Sequence, residues 1–411
     1  MRVLYLNTKF QGGGAERVAR QLYEGIGAEG VESYMLVGKE DESDPRYEII
    51  YGNLLRRRWN WVYGKLTSNA RLDDRYAVKK ILSCIRAHQI DLVHIHNIHG
   101  NYMGIRNVRE IAAAVPVVWT LHDMWTFTGH CAYAGDCGHW ETQKCGHCQD
   151  LAMFPKLYFD CASRLHRQKR QYFTENGITF VTPSRWLYQL VKKSFLGQER
   201  LYMINNGVDT ESFYPGDKEK LREKYGIHTK KHVLLFLTNM LRNTMKGFSY
   251  LAEALRQLEH KERYLLLIVG KLEEIRDICQ LYEVKTFGYI KEIGTLRDVY
   301  AMADLFLLPS MLENYPCVSL EAMACGTPVA AFKTGGIVEQ VDEDTGWLVE
   351  RGNAAALKDT IRLACQDGAA LREKGERSRK KAEECFSQEK MLKEYRQLYE
   401  EALQGKQPPV L

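Results

Sequence analysis

The sequence predicts an α/β protein built on two doubly wound parallel sheets. Three observations predict it. Short apolar runs alternate with segments of helical period along the whole chain. Several runs, such as Leu-Leu-Leu-Ile-Val at 265–269, are apolar without interruption, as strands covered on both faces must be. The alternation occurs twice, on either side of a turn-rich segment at Ile204–Pro215.

In the first half, Arg2–Asn7, Ser33–Val37, Asp91–His96, Pro116–Leu121 and Ile178–Thr182 read as strands. Helical patterns at Glu16–Ala28, Tyr76–His88 and Trp186–Phe195 lie between or after them. In the second half the strands are His232–Thr238, Tyr264–Gly270, Leu305–Pro309 and Pro328–Phe332. Phe248–Glu259, Leu296–Met302 and Pro316–Ala324 read as helices, with Pro316 in a first turn where a missing N–H costs little. Ser387–Leu403 is an amphipathic helix whose Met391, Tyr395, Leu398 and Ala402 share a face, and Gln404–Leu411 reads as a frayed tail. The expected organisation is an N-terminal domain over 1–204, a second domain over 205–386, and a C-terminal helical segment, 387–411, returning toward the first.

Composition narrows the function. The 411 residues suffice for two domains at roughly 100–200 residues each. A content of 45% hydrophobic and 27% charged residues excludes disordered, collagenous and fibrous chains. A net charge of +5 is less one-sided than a general nucleic-acid binder requires. Residues 1–200 hold 27 basic and 20 acidic side chains and the remainder 30 and 32, so an anionic partner is expected on the N-terminal side. No run of 18 apolar residues occurs, and glycines interrupt the N-terminus too early for a signal peptide. A cytoplasmic location is expected, and with it 11 cysteines that serve as thiols or metal ligands.

Four places carry chemistry. Gly12-Gly13-Gly14-Ala15-Glu16-Arg17 follows the first strand, where backbone amides can approach an anion at a helix start. Arg17 stands where a dinucleotide fingerprint needs a small residue, which argues against a nicotinamide enzyme. The segment Ser310–Pro328 places Glu313 in a loop before a helix and Glu321 inside that helix. A carboxylate at a strand's C-terminal edge can accept hydrogen bonds from ligand hydroxyls, and amides at the helix start can hold phosphate. His122 follows a strand at the edge where α/β sheets place ligands. Cys131, Cys137, Cys145 and Cys148 lie within 18 residues, and the Cys145–Cys148 pair has zinc-knuckle spacing. The wide first pair leaves reduced thiols, or a disulfide outside the cytosol, as alternatives.

Two glutamates followed by Ala-Met-Ala-Cys-Gly-Thr-Pro-Val resemble the retaining glycosyltransferases of family 4, the "group 1" family. The resemblance takes in Gly12–Glu16, Asn206–Asp209, Lys246-Gly247, Thr334–Gly336 and Gly346–Val349. The stretches His94–Gly100 and His122–Gly129 resemble capsular and colanic-acid-type members. The resemblance implies a GT-B fold, two Rossmann-like domains facing a cleft. It implies a nucleotide-diphosphate sugar donor and a polysaccharide or lipid-linked acceptor, with no cofactor needed for catalysis. His122, Glu313 and Lys246 would be catalytic. Glu321, Arg242, Asn314, Tyr315, Cys317 and Val318 would bind the donor with Gly13 and Gly14, and Glu16 and His96 would lie on the acceptor side. The family pairs the lysine with an arginine about six residues earlier, and Asn239 stands there instead. A cysteine-loop zinc would shape the rim and take no part in the reaction.

The stretch Leu54–Arg86 holds nine basic and two acidic residues, with tryptophans beside arginines. This mixture suits an anionic membrane surface, at the inner face of the cytoplasmic membrane, with Arg164–Arg170 as a second basic cluster. Nucleic acid is not an expected partner. Rival readings are a sugar-nucleotide epimerase of GT-B fold, a zinc-dependent nucleic-acid-binding protein and a non-catalytic sugar-nucleotide sensor.

Overall fold

A computed structural model describes residues 1–28, 30–40, 44–68, 71–100, 102–142, 145–237, 244–270 and 276–405. Two compact units emerge. One holds Met1–Asn205 with the chain from Met391 onward; the other holds Asn206–Lys390.

The first unit is a parallel sheet of seven strands: β1 (Arg2–Asn7), β2 (Glu32–Val37), β3 (Glu48–Ile49), β4 (Leu92–Ile95), β5 (Val117–Thr120), β6 (Thr179–Thr182) and β7 (Arg200–Met203). Their spatial order is β3-β2-β1-β4-β5-β6-β7. Leu4 lies between Tyr34 of β2 and Val93 of β4. The chain reverses its direction of travel across the sheet between β1 and β4, the place where α/β sheets open a ligand crevice. Every residue of β4, β5 and β6 is buried, so these largely apolar strands are covered on both faces. Helix α1 (Gly14–Ala28) follows β1 and buries Val18, Ala19, Leu22 and Ile26 at helical spacing.

The helix Gln388–Leu403 closes this unit. Met391, Leu392, Tyr395, Leu398 and Tyr399 are buried along one face. The Tyr399 hydroxyl lies 2.6 Å from His94 Nδ1, and the Tyr395 hydroxyl lies 2.8 Å from Thr120 Oγ1. Chain far apart in sequence is thereby built into the N-terminal sheet.

The second unit is a parallel sheet of six strands: β8 (His232–Leu237), β9 (Tyr264–Val269), β10 (Glu283–Phe287), β11 (Leu305–Leu308), β12 (Val329–Phe332) and β13 (Gly346–Val349). The order is β10-β9-β8-β11-β12-β13, with the same reversal between β8 and β11. Entering and leaving segments pair beside each other. The Val208 amide donates to the Phe386 carbonyl, and the Gln388 amide donates back to Val208, both at 2.8 Å.

Strands β3, β7, β10 and β13 are additional to those expected from the sequence. The strand β10 lies at a sheet edge, and its Glu-Val-Lys-Thr-Phe sequence has no buried residue, so it lacks the apolar run used as the signal. The last part of the expected tail, residues 406–411, lies outside the described residues.

Candidate active site

In the second unit, the C-terminal edge of β11 leads into the loop that carries Glu313. The Lys246 ammonium donates to Glu313 Oε1 at 2.5 Å, and the Ser310 hydroxyl donates to the same oxygen at 3.0 Å. Two backbone approaches make this possible. Gly247 has φ +64°, and a Cβ there would sit 1.8 Å from the Pro309 carbonyl oxygen. Gly335 has φ +51°, and its Cβ would sit 1.8 Å from the Glu313 carbonyl oxygen. Only glycine tolerates both the left-handed backbone and the contact. The neighbouring Gly336 amide donates to that same carbonyl at 3.1 Å, so the loop Thr334–Gly336 holds the main chain of Glu313 in place.

Glu313 precedes the helix Cys317–Ala324, whose N-cap position is Pro316, a residue whose side chain makes no capping hydrogen bond. Glu321 is buried within this helix and its Oε2 accepts from the Tyr300 hydroxyl at 3.0 Å. The Tyr315 ring is buried, 6.0 Å from that of Phe386, and its carbonyl accepts from Asn206 Nδ2 at 2.9 Å. Asn314 and Cys317 are buried and Val318 half-buried. A carboxylate and an ammonium thus meet at one sheet edge, just ahead of a helix start. That set can hold a sugar hydroxyl beside a phosphate.

In the first unit the corresponding edge carries histidines. His96 follows β4 and His122 follows β5, and His96 Nδ1 lies 2.9 Å from His122 Nε2. Among the described residues, His96 Nε2 is buried without a hydrogen-bond partner. Burial pushes His122 down to about 4 and holds His94 and His96 well below the ordinary histidine value. The three rings are therefore neutral near neutral pH. His99 Nε2 lies 3.0 Å from Asp123 Oδ2. Burial opposes the Asp123 charge, but the charge and hydrogen bond of His99 and the amide of Trp125 keep its carboxyl below the usual range.

In the glycine loop, one amide is engaged by a side chain of the loop's own helix. The Gly13 amide donates to Glu16 Oε2 at 2.9 Å, so the chain's own carboxylate occupies it. Gly14 opens α1. Glu16, in the first turn of α1, thus reaches back to the amide just before that helix.

The sequence model described as "Glycosyl transferases group 1" matches residues 217–384, and "Glycosyltransferase Family 4" matches residues 12–212. The chain belongs to the group 1, family 4 glycosyltransferases. The "Putative colanic acid biosynthesis glycosyl transferase WcaC" of Escherichia coli (strain K12) is 28% identical over 97% of this chain and 100% of its own. The N-acetyl-alpha-D-glucosaminyl L-malate synthase of Bacillus anthracis is 29% identical over 53% of this chain and 56% of its own. Among solved structures, sucrose-phosphate synthase from Thermosynechococcus elongatus superposes with a TM-score of 0.76 at 19% identity, covering 99% of this chain and 100% of that one. Anabaena HepE in complex with UDP superposes with a TM-score of 0.68 at 18% identity, covering 97% and 100%. These likenesses show the fold, which is GT-B.

Within this glycosyltransferase, the residues expected from sequence fall into separate groups. Glu313 and Lys246 are in contact, Glu321 lies inside the following helix, and His96 and His122 are in contact in the other unit. Arg242 and Asn239 lie outside the described residues. Ser310 and Asp123 were not anticipated; a serine three residues before Glu313 is too common a spacing to stand out.

The four cysteines of the loop are free thiols. Among the described residues no group of three or more His, Cys, Asp or Glu side chains is arranged to hold a metal ion. Cys137 is exposed, Cys145 Sγ accepts from the Gly129 amide at 3.0 Å, and Cys148 Sγ lies 3.2 Å from His130 Nε2. Lys169 pins the loop. Its buried ammonium donates to the carbonyls of Trp125, Thr128 and Gly129 and lies 3.6 Å from the centre of the Trp125 ring. Burial pushes Lys169 down to about 7, with Cys131 and Cys145 acting in the opposite direction. Lys169 thus leaves the surface cluster expected over Arg164–Arg170.

Proposed function

We propose that this protein is a retaining transferase that moves a sugar from a nucleotide-diphosphate donor to a growing polysaccharide or lipid-linked oligosaccharide. The observation that carries the reading is the contact of Lys246 with Glu313, just ahead of the helix that starts at Cys317. A sugar nucleotide needs a cation and amides for its diphosphate next to a carboxylate for its sugar hydroxyls. HepE, of like fold, has been crystallised with UDP and with UDP-glucose, which supports a nucleotide-sugar donor here. The colanic acid name of the full-length relative supports a polysaccharide product.

In this reading Glu313 holds hydroxyls of the donor sugar and Glu321 the ribose. The bond between the anomeric carbon and the diphosphate oxygen breaks, and negative charge gathers on that oxygen. Lys246 and the helix-start amides stabilise it, so the departure needs no metal. The acceptor hydroxyl oxygen joins the anomeric carbon on the face that the diphosphate leaves, and its proton passes to the departing phosphate. His122, neutral and weakly basic, orients by hydrogen bonding and does not carry the proton away. His96 supports it on the acceptor side.

The test is a panel of nucleotide-diphosphate sugars assayed for nucleoside diphosphate release, with and without a lipid-diphosphate sugar acceptor. Wild type is run beside Glu313→Ala and His122→Ala. Acceptor-stimulated release with one donor, lost in both variants, is expected. Absence of binding to every sugar nucleotide overturns the donor site. Turnover of donor to an isomer without acceptor makes the chain an epimerase.

A further inference from the structure

Helix α2 (Leu54–Leu66) is amphipathic in the wrong sense for a helix of a soluble domain. Asn53 caps it, its side chain accepting from the Leu55 amide at 2.8 Å. The face turned toward the domain carries Arg57, Asn60 and Gly64, at steps of three and four residues. Arg57 donates to the Glu40 carbonyl at 3.2 Å, Asn60 accepts from Arg71, and Gly64 is buried. The outward face carries the apolar side chains. Leu55 is 68% exposed, Trp59 74%, Trp61 61% and Leu66 73%, with Val62 and Tyr63 exposed beside them. A helix that only covered its domain would point this stripe inward.

The patch continues onto a second segment far away in sequence. Ser68, just past the helix, accepts at its hydroxyl from the amides of Tyr158 at 2.6 Å and Phe159 at 3.1 Å. That segment exposes Phe154, Tyr158 and Phe159. Apolar surface on this scale, gathered at one place, marks an interaction site.

Charge decides the partner. No acidic residue occurs between Tyr51 and Leu72, while Arg56, Arg58 and Lys65 are exposed among the aromatics. The Lys65 ammonium lies 3.7 Å from the centre of the Trp61 ring, so base and aromatic share one layer. A second copy would set these cations against themselves, since a twofold pairing places the same patch on both sides. The core of a protein interface is poor in charge. An anionic bilayer answers both features, taking tryptophan and tyrosine at headgroup depth and drawing the basic side chains to its phosphates. Among the described residues no helix is long and apolar enough to cross a membrane, so the helix lies on the surface.

We propose that the outward face of α2, together with Phe154, Tyr158 and Phe159, seats this protein on an anionic lipid surface. The Arg164–Arg170 segment is not part of this seat, because the helix Ala162–Phe173 buries its apolar residues in the ordinary way. The proposal stands on this surface alone and does not need the sugar-transfer reading.

The test is flotation of the full chain with phosphatidylcholine vesicles, with and without phosphatidylglycerol. Four proteins are compared: wild type, Trp59→Ser with Trp61→Ser, Arg56→Glu with Arg58→Glu, and Arg164→Glu with Arg170→Glu. Wild type is expected to float only with phosphatidylglycerol. Each of the first two variants lowers the partition by about tenfold or more, and the third leaves it within about twofold. Melting curves show that all four are folded, and donor turnover without vesicles is measured separately. Flotation can then fail with turnover intact, or the reverse. The proposal is overturned if wild type does not float, if the α2 variants float as well as wild type, or if the patch proves to bind RNA. It is also overturned if sedimentation shows a dimer that the tryptophan substitutions dissolve.

Discussion

The ammonium of Lys246 sits 2.5 Å from Glu313 Oε1, bridging the loop after β8 and the loop after β11 at one end of the second sheet. The two residues are 67 positions apart in the chain. The pair joins the group suited to a departing diphosphate to the group suited to the sugar it leaves. Lys246→Ala and Glu313→Gln are each expected to lower kcat/KM by about 10²-fold or more, the scale of removing one charge-stabilising group from a transition state. The double variant should lose less than the product of the two, because residues in direct contact do not act additively. Steady-state kinetics on the three proteins decide it, and full additivity would separate the two roles.

Gly335→Ala should act on Glu313 without touching it chemically. A methyl group at a left-handed φ, aimed at the Glu313 carbonyl, forces that loop to move. Left-handed backbone alone costs a non-glycine residue about 1–3 kcal/mol. The expected result is a melting temperature lower by several degrees together with weaker donor binding, read by thermal denaturation and by calorimetric titration. A variant that melts like wild type and binds donor normally would show that the loop is not held as described.

The buried histidines set an acid limit. The folded pKa of His122 is depressed to about 4, and those of His94 and His96 lie well below the ordinary value of 6.5. Between the folded and unfolded values the unfolded chain binds more protons, so stability rises with pH there. The contribution of His122 is therefore complete above about 6.5 and is lost as the pH falls toward about 4. Denaturant midpoints measured from pH 7 to pH 4 should decline for wild type and decline less steeply for His122→Asn. Parallel curves would mean that the ring titrates normally.

Tyr399→Phe removes one hydroxyl that lies 2.6 Å from His94 Nδ1 and 3.3 Å from the Tyr5 hydroxyl. Leaving a buried polar atom without its partner costs about 1–3 kcal/mol. Urea unfolding should register that loss. An unchanged midpoint would indicate that the C-terminal helix does not depend on this contact.

Native thiol titration should distinguish the cysteines of the loop. Cys137 is exposed, whereas burial raises Cys145 and Cys148 and pushes Cys131 up to about 11. Thiolate is the reactive form, so a fast phase that Cys137→Ser abolishes is expected. A native protein with no fast phase until a chelator is added would show zinc bound by the loop thiols.

Much of this molecule was legible in its residues, because burial on both faces leaves a local mark. Runs such as Leu4–Leu6 and Leu265–Val269 had to be interior strands, and their alternation with helices implied parallel sheets. Glu313, Glu321, Lys246 and His122 stood out through motif and position. The tertiary structure alone decided which of these meet. Nothing local tells that Ser310 shares an oxygen with Lys246, that Lys169 is buried beneath the cysteine loop, or that Tyr399 reaches His94 from 305 residues away. The sequence of α2 shows an amphipathic, basic helix; only the folded chain shows which side faces water. Strand and helix tendencies follow from neighbours along the chain, whereas hydrogen bonds to buried polar groups and the exposure of a face depend on what the rest of the chain packs against them.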